Sequence, residues 1–445
     1  MSSKPTTRKT RVPTTRVARF ARLGYTVGEL AVGGVAEGLR RVAGKESAET
    51  GNVFLTSANA QKLAQRLARM RGAAMKMGQV ISMEGADIIP PEFAEALAIL
   101  RNSANTMPDA QVRRVMGREF GKGWEKRFRS FDFQPIAAAS IGQVHRAETF
   151  DGRDLALKIQ YPGVAKSIDS DIDNLAMILR MARILPVEMD IGGIIAETKR
   201  QLKQEANYRT EAEHLRNYRD LVAGDSRFLV PQVHDDFTTA RILAMDFVDG
   251  VPLESLGDAA VPQEKRDRVA STLKELMFRE LFEFRTMQTD PNFANYMYQP
   301  EIDRIVLLDF GSTATFTEPF VEQYREIGRA LLEDDDDAIL RCAEDIGYLK
   351  PDSSPAHAGR MLEMIRLACE PVLEKGVFDF GASDIAVRAR DAGMEMALKS
   401  RKGDLVAPPP DTVFLHRKLA GSFMLCARLM ARVDARSLMG AHVLQ

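Results

Sequence analysis

The sequence predicts an α+β fold in two lobes, a small antiparallel β-sheet lobe followed by a larger helical lobe, with a helical extension ahead of both. Three observations carry this expectation. Residues 131–160, "FDFQPIAAASIGQVHRAETFDGRDLALKIQ", are β-rich and are punctuated by Asp151-Gly152, a hairpin turn signal. Helical texture returns in "SDIDNLAMILRMARIL" and in the long charged segment "AETKRQLKQEANYRTEAEHLRNYRDLV", and it dominates after Glu264. The later exceptions are short: "RILAMDFVDGVPL" reads as a strand running into a turn, and "DRIVLLDFG" as an apolar strand.

In chain order this gives four segments: a basic N-terminus (1–50), a helical extension (51–130), a sheet lobe with inserted helices (131–250) and a helical lobe (251–445). The first segment has many Lys, Arg, Ser and Thr residues and no acid before Glu29. It fits an organelle transit peptide, a basic amphipathic helix lying on anionic lipid, or a solvated tail. In the extension, Leu63, Leu67, Met70, Ala74, Met77 and Ile81 recur at steps of four and three and form one apolar helical stripe. Gly72, Lys76, Gln79 and Met83 form a second stripe on the opposite side. A glycine on a merely solvated helix face costs about 1 kcal/mol against alanine, so that side is expected to meet another surface. "PPEFAEALAIL" at 90–100 reads as a further helix opened by prolines, and "EDDDD" at 333–337 as an acidic helix start favoured by the helix dipole.

Composition narrows the function classes. With 61 Lys and Arg against 62 Asp and Glu, the chain as a whole has no general attraction for nucleic acid. Cys342, Cys369 and Cys426 stand far apart, without the spacing of a zinc site or a disulfide framework, and read as reduced core thiols. No apolar run approaches the roughly 18 to 20 residues that span a bilayer.

The chemistry-bearing residues lie in "MQTDPNFANYMY" and "IVLLDFGSTA". Asp290 precedes Asn295 by five residues, and Asp309 opens a DFG at the end of an apolar strand. Protein kinases show this order and nearly this spacing. A magnesium-bound triphosphate needs hard oxygen ligands, which Asn295 and Asp309 offer, and a carboxylate near the acceptor oxygen, which Asp290 offers. A second DFG, in "FDFGAS" at 378–383, has no such loop upstream and is assigned to chance or local structure. Upstream, "LALKIQYPG" places Lys158 on an alternating strand, the context of the lysine that holds the α- and β-phosphates, with Glu211 of the long charged helix as its partner. Asn207 lies four residues before Glu211 on the same face of that helix, and Glu205 on another part of it. The expected phosphate loop carries Ala137, Ala138, Ala139 and Ser140 between two strands, where glycines are usual, and should be stiffer for it. By position, the backbone from Met245 to Val248 meets the adenine.

Together these motifs resemble the UbiB/AarF family of atypical, protein-kinase-like proteins, over most of the chain. The matching residues include "KMGQ" (Lys76, Gly78, Gln79), "AAASIGQVH", "LALKIQYPGV", "SDIDNL", "EANYRTEA", "MQTDPNFANYMY", "LLDFG" and "PPPDTVFLHRKLAGSF". "QTDPN" and "LHRK" point to the coenzyme Q branch. The resemblance implies a bilobal kinase-like fold, with the KxGQ extension packed over the site where a kinase takes a peptide. It implies ATP with Mg2+ as cofactors, and site roles as follows. Lys158 and Glu211 match the ion pair, Asp290 the catalytic aspartate, Asn295 and Asp309 the metal ligands, and Lys76 and Gln79 the inserted motif facing the pocket. Glu205 and Asn207 fall at the family's ExD element, where Asn207 replaces an aspartate and removes one charge.

The expected activity is a membrane-associated ATPase supporting ubiquinone biosynthesis. A phosphotransferase acting on a lipid or protein hydroxyl, and a nucleotide-gated lipid-binding scaffold, are the alternatives. The expected partners are isoprenoid quinone precursors, an anionic membrane surface and quinone-biosynthesis enzymes, with a homodimer left open. The expected place is the cytoplasmic side of a bacterial inner membrane or the mitochondrial matrix face in a eukaryote.

Overall fold

A computed structural model describes residues 106–181, 191–290, 292–399 and 409–444. The basic N-terminus, both helical stripes of the extension, Lys76 and Gln79 lie outside the described residues. In chain order the first elements are α1 (Asp109–Glu119), β1 (Phe128–Phe131), β2 (Ala137–Ala138), β3 (Gly142–Thr149), β4 (Asp154–Gln160), α2 (Val164–Met181), α3 (Ile191–Glu205), α4 (Tyr208–Leu221), β5 (Phe228–Leu229) and β6 (Ile242–Asp246). Next come β7 (Val251–Pro252), α5 (Gln263–Phe282), β8 (Thr286–Gln288), β9 (Tyr296–Gln299), β10 (Arg304–Leu307) and β11 (Thr313–Thr315). The chain continues through α6 (Glu318–Glu333), α7 (Asp336–Ile346), α8 (Pro355–Ala368), α9 (Glu370–Leu373), β12 (Phe378–Asp379), α10 (Ile385–Lys399), α11 (Pro410–Arg428), β13 (Arg432–Val433) and α12 (Ala435–Val443). The class is α+β, and the chain divides into two units. The first holds the residues up to Glu213 together with Gln232–Val248, and the second holds His214–Pro231 and everything from Asp249.

In the first unit an antiparallel sheet runs β1-β3-β4-β6, with β2 also paired to β3. The β3–β4 hairpin turns at Asp151-Gly152, where Gly152 takes φ +85°, a region glycine enters without a Cβ penalty. Leu155 through Gln160 of β4 are all buried, so this strand is covered on both faces and does not alternate with solvent as its sequence suggested. The motif "GQVH" builds a buried polar tie. His145 Nδ1 donates to the Asp132 carbonyl at 2.7 Å, leaving Nε2 to accept from Gln143 Nε2 at 2.6 Å. Gln143 Oε1 then accepts the Met107 N–H at 2.7 Å, fastening the segment that leads into α1.

The long charged segment is two helices. Asn207 sits between α3 and α4, its Oδ1 accepting the Arg209 N–H and its Nδ2 donating to Thr210 Oγ1. An Asn side chain competes for nearby backbone donors, which favours a cap over a helix interior. Asn207 and Glu211 therefore do not share one face of a continuous helix, as the spacing had suggested. The alanine loop is corrected too: Ala137 and Ala138 are a short strand, opposite Val144 and Gln143 of β3.

The second unit combines a four-stranded sheet, in the order β5-β10-β9-β7, with the β8–β11 pair and the later helices. Its core packs Met277, Phe278, Leu281, Met287, Phe316, Leu415, Met439 and Val443 together. The acidic run divides its labour: Asp334 ends α6 in a left-handed conformation, and Asp335 caps α7 by accepting the Ala338 N–H at 2.9 Å. The second DFG is local structure, with Asp379 Oδ1 accepting the Gly381 and Ala382 amides beside the β12–β13 pair. Cys426 is buried and Cys342 and Cys369 are half-buried, all three as free thiols.

Candidate active site

Lys158 projects from β4 into a buried setting, where its Nζ lies 2.6 Å from Glu211 Oε1 in the first turn of α4. Their side chains are 8% and 1% exposed, and the ammonium also lies 5.3 Å from the centre of the Tyr208 ring. An ion pair enclosed at this depth has little freedom to turn, because each group is held by the other and by the packing around it. The result is a lysine fixed in direction on the sheet.

The same unit carries the alanine loop. Ala137 and Ala138 are exposed and Ala139 and Ser140 half-buried. Ser140 Oγ donates to Glu205 Oε2 at 2.8 Å, tying the loop to the end of α3. Gly142 has no room for a side chain, since a Cβ there would come 2.4 Å from the Ile159 carbonyl oxygen and 2.9 Å from the Tyr208 hydroxyl. Pairing of Ala137 and Ala138 with β3 holds one end of the loop and the Ser140–Glu205 bond the other. In the Met245–Val248 segment, Met245 is paired in the sheet with Ala156, and the Phe247 N–H donates to the Asp154 carbonyl at 2.9 Å. Among the described residues the Val248 backbone has no hydrogen-bond partner, so its groups are left for a ligand.

The second unit brings Asp290, Asn295 and Asp309 together. Asn295 Nδ2 donates to the Asp290 carbonyl at 2.9 Å, which turns its Oδ1 away as a hard oxygen donor. Asp309 Oδ1 accepts the Gly311 N–H at 2.9 Å, holding the carboxylate across the DFG turn. Phe310, 1% exposed, packs against Tyr218 with ring centres 4.5 Å apart, and its carbonyl lies 3.1 Å from His214 Nδ1. Among the described residues no group of three or more His, Cys, Asp or Glu side chains could cage a metal. One carboxylate and one amide oxygen instead suit a magnesium ion that takes its remaining ligands from water and phosphate.

Sequence reasoning missed the residues that support this loop. Gln288 donates from Nε2 to the Asp290 carbonyl at 2.7 Å and the Asp309 carbonyl at 3.2 Å, and it is itself held by Glu280 and Lys418. The available signal was "QTDPN" and "LHRK", which were legible as motifs but not as neighbours.

Residues 99–343 match the ABC1 atypical kinase-like domain. The chain is similar to "Atypical kinase COQ8B, mitochondrial" of Rattus norvegicus, with 37% identity over 433 residues, 97% of this chain and 81% of that protein. It is also similar to "Atypical kinase COQ8, mitochondrial" of Saccharomyces cerevisiae, with 34% identity over 438 residues, 98% of this chain and 86% of that protein. Among solved structures, the Mycobacterium tuberculosis protein Rv3197, in complex with erythromycin, is similar with a TM-score of 0.60 and 27% identity. That likeness covers 86% of this chain and 95% of the other.

Proposed function

The chain belongs to the ABC1 atypical kinase-like family, and on that premise we propose that it is an ATP-hydrolysing enzyme that supports ubiquinone biosynthesis at a membrane surface. The observation that carries this reading is the buried Lys158–Glu211 pair, a charged lysine set rigidly on a sheet as phosphate binding requires. Lys158 receives the α- and β-phosphates, Ser140 and the Ala137–Ala139 loop lie along them, and the Val248 backbone receives the adenine. Asn295 and Asp309 would hold magnesium, which supplies neutralisation of the phosphate charge. Asp290 orients the attacking water and takes its proton as the new P–O bond forms and the β–γ bridging bond breaks, releasing ADP and phosphate.

The quinone role is supported by "QTDPN" and "LHRK" and by relatives named as mitochondrial COQ8 kinases. Among the described residues no helix is long and apolar enough to cross a membrane. The reading has the protein meet lipid peripherally, at the matrix face or a bacterial inner membrane.

The test is ATP turnover by the purified protein, with and without anionic liposomes and a phenolic mimic of a quinone precursor. Turnover stimulated by both, and abolished in Asp290→Asn and Asp309→Asn variants that fold and bind nucleotide, is the expected result. Labelled phosphate appearing on a lipid or protein hydroxyl would replace hydrolysis with transfer. Full support of quinone synthesis by the Asp290→Asn variant would overturn the catalytic reading in favour of a nucleotide-gated scaffold.

A further inference from the structure

"QTDPN" and "LHRK" are 130 residues apart between Gln288 and Lys418, yet they meet in the buried interior of the second unit. Lys418 on α11 directs its Nζ to Glu280 Oε2 on α5, at 2.7 Å, with side chains 7% and 0% exposed. The same ammonium donates to Gln288 Oε1 at 3.5 Å, and Tyr296 Oη donates to that oxygen at 3.2 Å. Glu280 Oε1 closes the circle by accepting the Gln288 N–H and the Tyr218 hydroxyl, each at 2.9 Å. The other end of Gln288 is its Nε2, which bridges the Asp290 and Asp309 carbonyls.

The chemistry of this circle has a direction. A glutamine amide can point either way round, but an ammonium only donates, so Lys418 selects the orientation that turns Oε1 inward. Nε2 is then left facing two carbonyls, which only accept. Burial pushes the Lys418 ammonium toward neutrality, yet Glu280 and Tyr296 more than offset this and keep its pKa raised. Burial likewise raises the Tyr296 hydroxyl, which stays a donor. Glu280 is what allows a charged lysine to exist at this depth.

We propose that Lys418, acting through Gln288, is a positioning residue that locks the Asp290 loop to the Asp309 loop within the second unit. The proposal rests on the reading that Asp290 and Asp309 perform the chemistry, and it assigns a role to Gln288 and Lys418, which that reading leaves unused.

The experiment compares full-length wild type with Lys418→Met, Gln288→Leu, the Gln288→Leu/Lys418→Met double and the Glu280→Gln/Lys418→Met double. Each is measured for hydrogen exchange, thermal midpoint, and kcat and KM for ATP. Lys418→Met and Gln288→Leu should each lower kcat about tenfold or more with KM within about threefold. Amides of residues 286–299 and 305–313 should exchange about tenfold faster, while those of α6 and α7 do not change. The Gln288→Leu/Lys418→Met double should be no worse than either single, since both cut one link. Glu280→Gln/Lys418→Met removes both buried charges and keeps Oε1 as acceptor, so it should regain the thermal midpoint lost by Lys418→Met without regaining kcat or loop protection. Recovery of all three together would show a purely structural role and overturn the proposal. So would unchanged loop exchange in Lys418→Met. Exchange is read without turnover, so a wild type that fails to hydrolyse ATP, yet shows the Lys418-dependent loop protection, sinks the ATPase reading and upholds the lock.

Discussion

Lys158 Nζ and Glu211 Oε1 lie 2.6 Å apart, linking strand β4 to helix α4 with both side chains buried. Lys158→Met strands a desolvated carboxylate and should destabilise the fold by about 3 to 5 kcal/mol. Adding Glu211→Gln removes the stranded charge, so the double variant should regain much of that stability in denaturant titrations. It should not regain affinity for a fluorescent ATP analogue, because the phosphate-binding cation is still missing.

Gly142 is predicted to tolerate no side chain. Gly142→Ala places a Cβ against the Ile159 carbonyl and the Tyr208 hydroxyl, and an overpacked site of this kind costs about 1 to 3 kcal/mol. The urea midpoint should fall accordingly. A midpoint equal to wild type would mean that the β3–β4 pair yields without strain.

Asp309→Asn should spare the fold and lose the metal. The asparagine Oδ1 can still accept the Gly311 N–H, so the turn keeps its bond while the site loses its charge. The magnesium concentration that half-saturates nucleotide binding should rise about tenfold or more, as expected when a hard cation loses an anionic ligand. The thermal midpoint without nucleotide should stay near that of wild type.

Acid stability has a named contributor in Asp225. The Arg227 guanidinium hydrogen-bonded to it draws its carboxyl from 3.8 to about 2, against burial, which raises it, and Arg279 adds to the pull. A folded-state pKa below the unfolded one stabilises the fold fully above the unfolded value and loses that contribution as pH falls through the folded value. The wild type should therefore exceed Asp225→Asn by about 2 kcal/mol at pH 6, with the difference shrinking between about pH 4 and pH 2. A difference that does not change over that range would show that the bond is equally good when neutral.

The features legible in the chain order were local. The Asp151-Gly152 turn and the strand of Lys158 follow from patterns a few residues long. So does the spacing of Asp290, Asn295 and Asp309, because turn chemistry and periodicity act between near neighbours. The same local reasoning failed at Asn207, where a helical period continued through a residue whose side chain was better satisfied as a cap.

Which distant groups meet was settled by packing. It buried β4 on both faces, set Ser140 on Glu205, and enclosed Lys418 with Glu280 and Gln288. A buried charge must find its partner wherever the packed elements bring one, and chain order keeps no record of that choice.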